Sequence, residues 1–167
     1  MPDRRSPDDG ARGPYHGAVI LEGANGERLE LTLVAYQFPE VEDDMWDANW
    51  LEVRISAADD PDAWTADDPC LLTWEVDELA DWLDAVAESR APVAEIEFIE
   101  PSLMLERIEV DGAAVVRVWF ENALRPPEAP EDEDVLIDFE VAPAMLRAAA
   151  ASLRAQRQRF PRRGPTA

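Results

Sequence analysis

The stretch from residue 70 to residue 86 constrains the fold of this chain more than any other part of it. It begins with a short apolar run, residues 70–72, and continues with apolar residues that recur at helical spacing. The residues of this stripe are Leu79, Trp82, Leu83 and Val86. Acidic residues occupy the other side, so the pattern predicts an amphipathic helix with Thr73 or Asp77 as its N-cap. Such a helix is expected to cover the apolar face of the strands that flank it in the sequence.

Two dipeptides predict β-hairpins, because Asn-Gly and Asp-Gly readily adopt the positive φ angles of the tightest hairpin turns. The first is Asn25-Gly26, which separates two apolar segments. With a two-residue loop, Ile20 would pair with Leu31 and Ala18 with Leu33 on the inward face.

The second dipeptide, Asp111-Gly112, lies between two longer apolar segments and predicts a second hairpin. A two-residue loop also fixes the register of this hairpin. The predicted cross-strand pairs are Leu103 with Phe120, Met104 with Trp119, Leu105 with Val118, and Glu106 with Arg117. The last of these pairs is expected to be an ion pair.

Alternation of apolar and polar residues predicts further strands over residues 51–55, 94–99 and 135–141. Two similar tetrapeptides, residues 58–61 and 66–69, are interpreted as paired turns that hold the tryptophan between them against the core. A second helix is expected to begin at a proline and to carry a buried face. Its first residue is Pro143, and the residues of that face are Leu146, Ala149, Leu153, Gln156 and Phe160.

These elements follow one another as β-β-β-α-β-β-β-β-α. Hairpins without regular strand–helix alternation are typical of an α+β fold, here a largely antiparallel sheet with two covering helices. We expect one such domain over residues 16–160, preceded by a disordered tail over residues 1–15 and followed by a frayed end over residues 161–167.

The net charge of −22 is unevenly distributed along the chain. All 37 acidic residues precede residue 147, whereas residues 147–167 carry six of the 15 arginines. No lysine is present, which removes Schiff-base and P-loop chemistry. A protein this acidic would repel nucleic acid and attract a basic protein surface, although a role of the acidic residues in solubility alone is an equally good interpretation.

The sequence predicts a cytoplasmic protein that does not associate with membranes. No apolar run reaches the roughly 18 residues of a membrane span, and no signal-peptide core stands near the N-terminus. The single cysteine, Cys70, excludes an intrachain disulfide.

No motif in the chain indicates catalysis or a cofactor. The one histidine, His16, lies at the edge of the polar tail, and the apolar surroundings of Cys70 favour a buried structural thiol. Cysteine and histidine are too few for a zinc site, and the acidic runs lack EF-hand spacing. We therefore predict no catalytic residue, metal or cofactor, with a carboxylate-based hydrolase as the weak enzymatic alternative.

A protein-binding surface remains as the leading interpretation. Trp46 stands among acids at a loop-to-strand junction, and either anchors a partner or folds inward over the sheet edge. Loops tolerate the variation that partner specificity demands, so two acidic loops, residues 40–47 and 126–134, are expected to carry recognition. The predicted partner-binding residues are Glu42, Asp43, Asp44, Trp46, Asp47, Glu128, Glu131, Asp132, Glu133 and Asp134.

A series of short motifs resembles a known family when the motifs are taken in order. They are residues 47–53, Ala63-Trp64, residues 70–75, Leu79 and Leu83, residues 100–103, Glu121, and Phe160-Pro161-Arg162. In this order and spacing they resemble the WapI-type immunity proteins of bacterial polymorphic toxin systems, over roughly residues 18–163.

The resemblance implies a small, non-enzymatic cytosolic protein that neutralises the C-terminal domain of a cognate toxin by direct binding. For the best-known member that toxin domain is a tRNA-cleaving nuclease. The matched positions are mostly apolar or turn residues, so the resemblance implies a scaffold and names no target. The alternative is an acidic interaction module whose partner is unrelated to toxins.

Overall fold

The computed structural model describes residues 17–91 and 93–165. The tail predicted over residues 1–15 and the only histidine, His16, lie outside the described residues. The strands and helices are β1 Val19–Glu22, β2 Arg28–Tyr36, β3 Trp50–Asp59, β4 Asp62–Leu72, α1 Thr73–Ala87, β5 Glu95–Ile96, β6 Leu103–Val110, β7 Ala113–Phe120, β8 Leu136–Glu140 and α2 Pro143–Arg157.

The predicted α+β class is confirmed. All strand pairs are antiparallel, and the strands form two four-stranded sheets in chain order, β1–β4 and β5–β8. The two helices pack against each other, and side chains from both sheets and both helices join one hydrophobic core. Neither helix in the described part of the chain is long and apolar enough to cross a membrane.

The predicted register of the first hairpin is wrong by one residue. Val19 pairs with Leu31, and Gly23 N–H donates to the carbonyl of Glu27 at 2.9 Å, which leaves a three-residue loop. Only the glycine of the Asn-Gly pair has positive φ, +90° at Gly26, and a three-residue hairpin loop needs just one such residue. Because a one-residue shift turns β1 over relative to β2, Val19 is buried where Ile20 was expected, whereas Leu31 and Leu33 are buried as predicted.

The predicted register of the second hairpin is confirmed at each of the four pairs. Both residues of its turn have positive φ, 51° at Asp111 and 81° at Gly112, as a two-residue turn requires. Arg117 does not form the ion pair that was expected with Glu106. Arg117 lies opposite Glu106 but forms a two-point contact with Asp138 of β8, at 2.7 and 2.9 Å.

The interpretation of residues 58–69 as paired turns is wrong. The first tetrapeptide contains the β3–β4 turn, but the second lies inside the eleven-residue strand β4. Trp64 does pack inward, edge-on to Phe120 with ring centroids 5.3 Å apart. Its indole N–H donates to the carbonyl of Leu124 at 2.9 Å, and this bond ties sheet β1–β4 to the loop after β7.

Helix α1 buries the four residues of the predicted stripe. Its N-terminus has no side-chain cap from Thr73 or Asp77. Glu75 takes that role from inside the first turn, because its carboxylate accepts the backbone N–H of Leu72 at 2.9 Å. The other carboxylate oxygen accepts the N–H of Ile99 at 2.8 Å, so the same side chain also fixes the loop between β5 and β6.

Helix α2 begins at Pro143 as predicted and buries the expected face, with Phe160 half-buried beyond its end. Its buried Gln156 reaches sheet β1–β4, where it accepts the N–H of Leu33 at 2.7 Å. Strand β1 pairs with β2 only as far as Leu31, so the glutamine takes the place of a strand at that edge.

Candidate partner-binding surfaces

The first predicted loop, residues 40–47, is an ordered turn. One carboxylate oxygen of Asp44 accepts the backbone N–H groups of Trp46 and Asp47, at 2.7 and 2.6 Å. The Trp46 side chain is 49% exposed, and its ring lies edge-on to Trp74 at 5.5 Å. Trp46 therefore covers Trp74 of α1 and still presents half its surface to solvent, where a role as a partner anchor stays a prediction.

The C-terminal segment lies against this loop, which differs from the frayed end predicted for residues 161–167. The side chain of Asn49, which is fully buried, accepts the N–H of Arg163 at 2.9 Å and donates to its carbonyl at 2.8 Å. The guanidinium of Arg163 stacks over Tyr36 at 3.7 Å, and the hydroxyl of Tyr36 donates to the carbonyl of Pro161. These contacts hold residues 161–163, and residues 166–167 lie outside the described part.

Arginines of this segment offset the acidity of the first loop. Arg162 lies over the ring of Trp74 at 4.7 Å, beside Trp46. Arg163 donates to the carbonyl of Val41 in the loop at 3.2 Å and to that of Pro39, just before the loop, at 2.9 Å. The surface around Trp46 is therefore of mixed charge.

The second predicted loop, residues 126–134, is held by its own backbone. Arg125 donates to the carbonyls of Pro130 and Glu133 at 2.6 and 2.8 Å, which closes the loop around its guanidinium. The acidic side chains of the loop are exposed. They are Glu128, Glu131, Asp132, Glu133 and Asp134.

This loop forms one wall of a groove of about 310 Å³, which we call the Trp64 groove. Its opposite wall is the β3–β4 turn, with Asp59 and Asp62, and Trp64 contributes apolar surface between the walls. The acids lining the groove are Asp59, Asp62, Glu128, Glu133 and Asp134. The fold thus brings together two acidic segments that are more than 60 residues apart in the chain.

A second acidic groove follows the other end of β8, and we call it the β8 groove. Its carboxylates are Glu27, Asp111, Asp138 and Glu140. Burial raises the pKa of the Asp59 carboxyl, and the negative charges of Glu27, Asp62 and Asp138 raise it further. The charges of acids that line both grooves therefore act on Asp59.

The two predicted loops lie at opposite ends of the molecule's first sheet. The first loop leads into Trp50 at the start of β3, whereas the second faces Asp59 at its end. A ten-residue strand rises about 3.3 Å per residue, so these ends are roughly 30 Å apart. The ten predicted partner-binding residues thus form two separate surfaces.

The remaining candidates for chemistry have structural surroundings. Glu75, a buried carboxylate, is occupied on both oxygens by backbone N–H groups. Cys70 is a free, buried thiol, and burial together with the charge of Asp68 raises its pKa. Among the described residues, no three His, Cys, Asp or Glu side chains are placed to hold a metal ion.

Sequence reasoning missed Glu27, Asp59 and Asp62 as members of the acidic surface. A signal for them was present, because the β1–β2 and β3–β4 turns of a four-stranded meander lie at the same end of the sheet. No sequence pattern, however, indicated that residues 126–134 would lie against that end.

The model of the immunity protein WapI-like family matches residues 20–161, which is most of the chain. No curated protein matches the sequence.

Proposed function

The chain belongs to the WapI-like family of immunity proteins, and we propose that it neutralises a cognate toxin domain in the cytoplasm by binding it directly. The observation that carries this proposal is the family match, which spans both sheets and both helices. In this proposal the protein is a stoichiometric inhibitor and not an enzyme.

We place the centre of the toxin-binding surface at the Trp64 groove. Its two acidic walls converge from different parts of the chain, and Arg125, the cation nearest the loop, is turned inward to the loop carbonyls. The surface around Trp46 is less suited to this role, because Arg162 and Arg163 offset its acids. Trp46 and its neighbours then lie at the margin of the interface or outside it.

The charge of this surface favours a basic partner. A toxin that cleaves RNA presents a basic substrate groove, and an acidic inhibitor can steer into such a groove and occlude it. Partners of opposite charge associate faster at low salt, by a factor of about 10 to 1,000. The net charge of −22 and the five carboxylates that line the Trp64 groove suit this kind of association.

Co-expression tests the proposed function. The toxin domain encoded next to the gene for this protein should arrest growth when produced alone, and co-production of this protein should restore growth. With purified proteins, toxin activity should fall linearly and reach zero near one equivalent of inhibitor. Neutralisation at a small fraction of an equivalent would instead indicate an enzyme, and failure to restore growth would contradict the proposal.

A further inference from the structure

The two sheets differ in the side chains of their outer faces. On sheet β1–β4 that face is polar and carries ion pairs, such as Arg28 with Glu30 and Arg54 with Asp67. On sheet β5–β8, three large apolar side chains form a row across neighbouring strands. They are Met104, Trp119 and Leu136, which pair directly in the order β6, β7, β8.

These side chains lie opposite the core. Their neighbours along the strands, such as Leu105 and Val118, are buried in the core, and alternate residues of a strand point to opposite faces. Met104, Trp119 and Leu136 are each only partly buried. On the same face, Arg117 pairs with Asp138, and its guanidinium lies over the Trp119 ring at 5.8 Å. Sheet β5–β8 therefore exposes an apolar strip that is bordered by this ion pair.

One end of this strip is a concave slot of about 230 Å³, which we call the Trp119 slot. Phe98, Pro101, Met104 and Trp119 give it apolar walls. Just outside those walls, Ile99 is 59% exposed, more than any other large hydrophobic side chain in the described part of the chain. Exposed apolar surface gathered around a concavity is typical of a binding site.

The slot also carries two carboxylates. Glu97 and Glu121 belong to its lining, and Glu97 has no ion-pair partner in the part of the chain that the structure describes. Glu121 faces Arg125 at 3.6 Å, which is a loose contact between partly exposed side chains. The indole N–H of Trp119 is buried and has no hydrogen-bond partner among the described residues.

We propose that the Trp119 slot binds an arginine side chain from a basic segment of the protein partner. The aliphatic stem of an arginine suits the apolar walls, and its planar guanidinium stacks on an indole and pairs with carboxylates at the rim. An acidic side chain would meet Glu97, Glu121 and a strongly negative protein. The identity of the partner as the toxin domain rests on the proposed function.

The position of the slot joins it to the surface already described. The chain runs from Trp119 and Glu121 directly into the loop that forms one wall of the Trp64 groove. Leu136, the cross-strand partner of Trp119, also lines that groove. One partner can therefore cover both the slot and the groove, with the apolar walls of the slot as an anchor beside the carboxylates of the groove.

A titration of the full chain with a model ligand tests the slot without the toxin. The probe is an acetylated Gly-Arg-Gly amide at low salt, and the control is the same peptide with neutral citrulline for arginine. Six tryptophans give six indole N–H signals in a nitrogen-15 NMR spectrum. The signal of Trp119 should shift in a saturable manner with the arginine peptide only, while that of Trp46 stays in place.

Paired variants give this titration its control. Glu97→Gln with Glu121→Gln should raise the Kd for the arginine peptide at least fivefold. Glu95→Gln with Glu109→Gln removes the same charge from exposed positions outside the slot and should change the Kd less than twofold. The inference would be overturned if the Trp119 signal stayed in place or shifted equally with the citrulline peptide. It would also be overturned if both pairs of variants raised the Kd for the arginine peptide by the same factor.

The toxin domain then separates the two proposals. If the wild-type protein neutralises the toxin domain, and the Glu97→Gln/Glu121→Gln variant binds that domain as tightly as the wild type does, the slot does not bind the toxin and the proposed function stands. If the peptide occupies the slot but growth is not restored, the chemistry of the slot stands and its partner is not that toxin.

Discussion

Buried polar side chains in this protein stand where regular backbone hydrogen bonding ends. Glu75 accepts two backbone N–H groups from separate segments, and Asn49 bridges the start of β3 to the C-terminal segment. Asn49 also accepts the hydroxyl of Thr73, the first residue of α1. Because a buried group without a partner costs more free energy than a surface contact gains, each of these residues should matter more than any exposed ion pair.

Replacing Glu75 by Gln tests how much one buried polar side chain stabilises the fold. Glutamine keeps the shape of the side chain, but its amide NH₂ would face one of the two backbone N–H groups that the carboxylate now accepts. We expect the free energy of unfolding, measured by denaturant titration, to fall by about 1–3 kcal/mol.

Glu78→Gln is the matched control on the same helix. Glu78 is exposed, and burial together with the charges of Glu75 and Asp77 raises its pKa. Its carboxylate is thus disfavoured in the folded state, so removing the charge at neutral pH should leave stability unchanged or slightly higher. Equal losses from the two substitutions would show that Glu75 has no special role.

At the scale of elements, Gln156 joins helix α2 to the edge of β2. Its side chain accepts the N–H of Leu33 at 2.7 Å and donates to the carbonyl of Leu31 at 3.3 Å. The side-chain amide therefore bonds to the strand in the way that a neighbouring strand would. It covers the part of the edge that the four-residue strand β1 leaves open.

Gln156→Leu should break this connection at similar side-chain volume. The N–H of Leu33 would be left buried without a partner, so we expect a loss of about 1–3 kcal/mol in the free energy of unfolding. Amide hydrogen exchange at Leu33 should become faster than at its neighbours. Gln158→Leu, an exposed position two residues on, provides the control. An unchanged exchange rate at Leu33 in Gln156→Leu would show that the contact does not stabilise the strand edge.

The two hairpins show how far the sequence predicts elements and where it stops. Asp111-Gly112 predicts a register that the structure confirms, whereas Asn25-Gly26 does not. In the first hairpin the carboxylate of Glu27 accepts the N–H of Asn25 at 2.9 Å, and the loop accommodates one residue more. The dipeptide indicates a turn, and local side-chain contacts then select its length.

Strand β4 and the acidic grooves escaped prediction for a different reason. The acids and Pro69 of β4 resemble a loop in composition, and pairing with β3 makes the segment a strand. The Trp64 groove depends on tertiary contacts between the two sheets, among them the bond from Trp64 to Leu124 and the packing of Trp64 on Phe120. Neither feature has a local signature.

At the scale of the whole molecule, the distribution of charge matters more than its sum. Acids of the Trp64 groove converge at one end of the first sheet, and at the other end two arginines, Arg162 and Arg163, lie in the segment that packs against the first loop. A standard interface covers about 800 Å² on each partner, a patch roughly 30 Å across. An interface of that size can be centred on only one of the two ends.

Two triple variants with the same change in net charge decide between the ends. Glu128→Gln/Glu133→Gln/Asp134→Asn removes charge at the Trp64 groove, and Glu42→Gln/Asp43→Asn/Asp47→Asn removes it at the first loop. All six side chains are exposed, so both variants should unfold at nearly the wild-type temperature.

If the toxin binds at the groove, the first variant should associate about tenfold more slowly at low salt, and its association rate should depend less steeply on salt. The second variant should lose much less, and dissociation should change little in either, because exposed charges act mainly on the encounter. Stopped-flow association with the toxin domain at two salt concentrations measures both effects. Slower association in the second variant, with the first close to wild type, would move the interface to the end that carries Trp46.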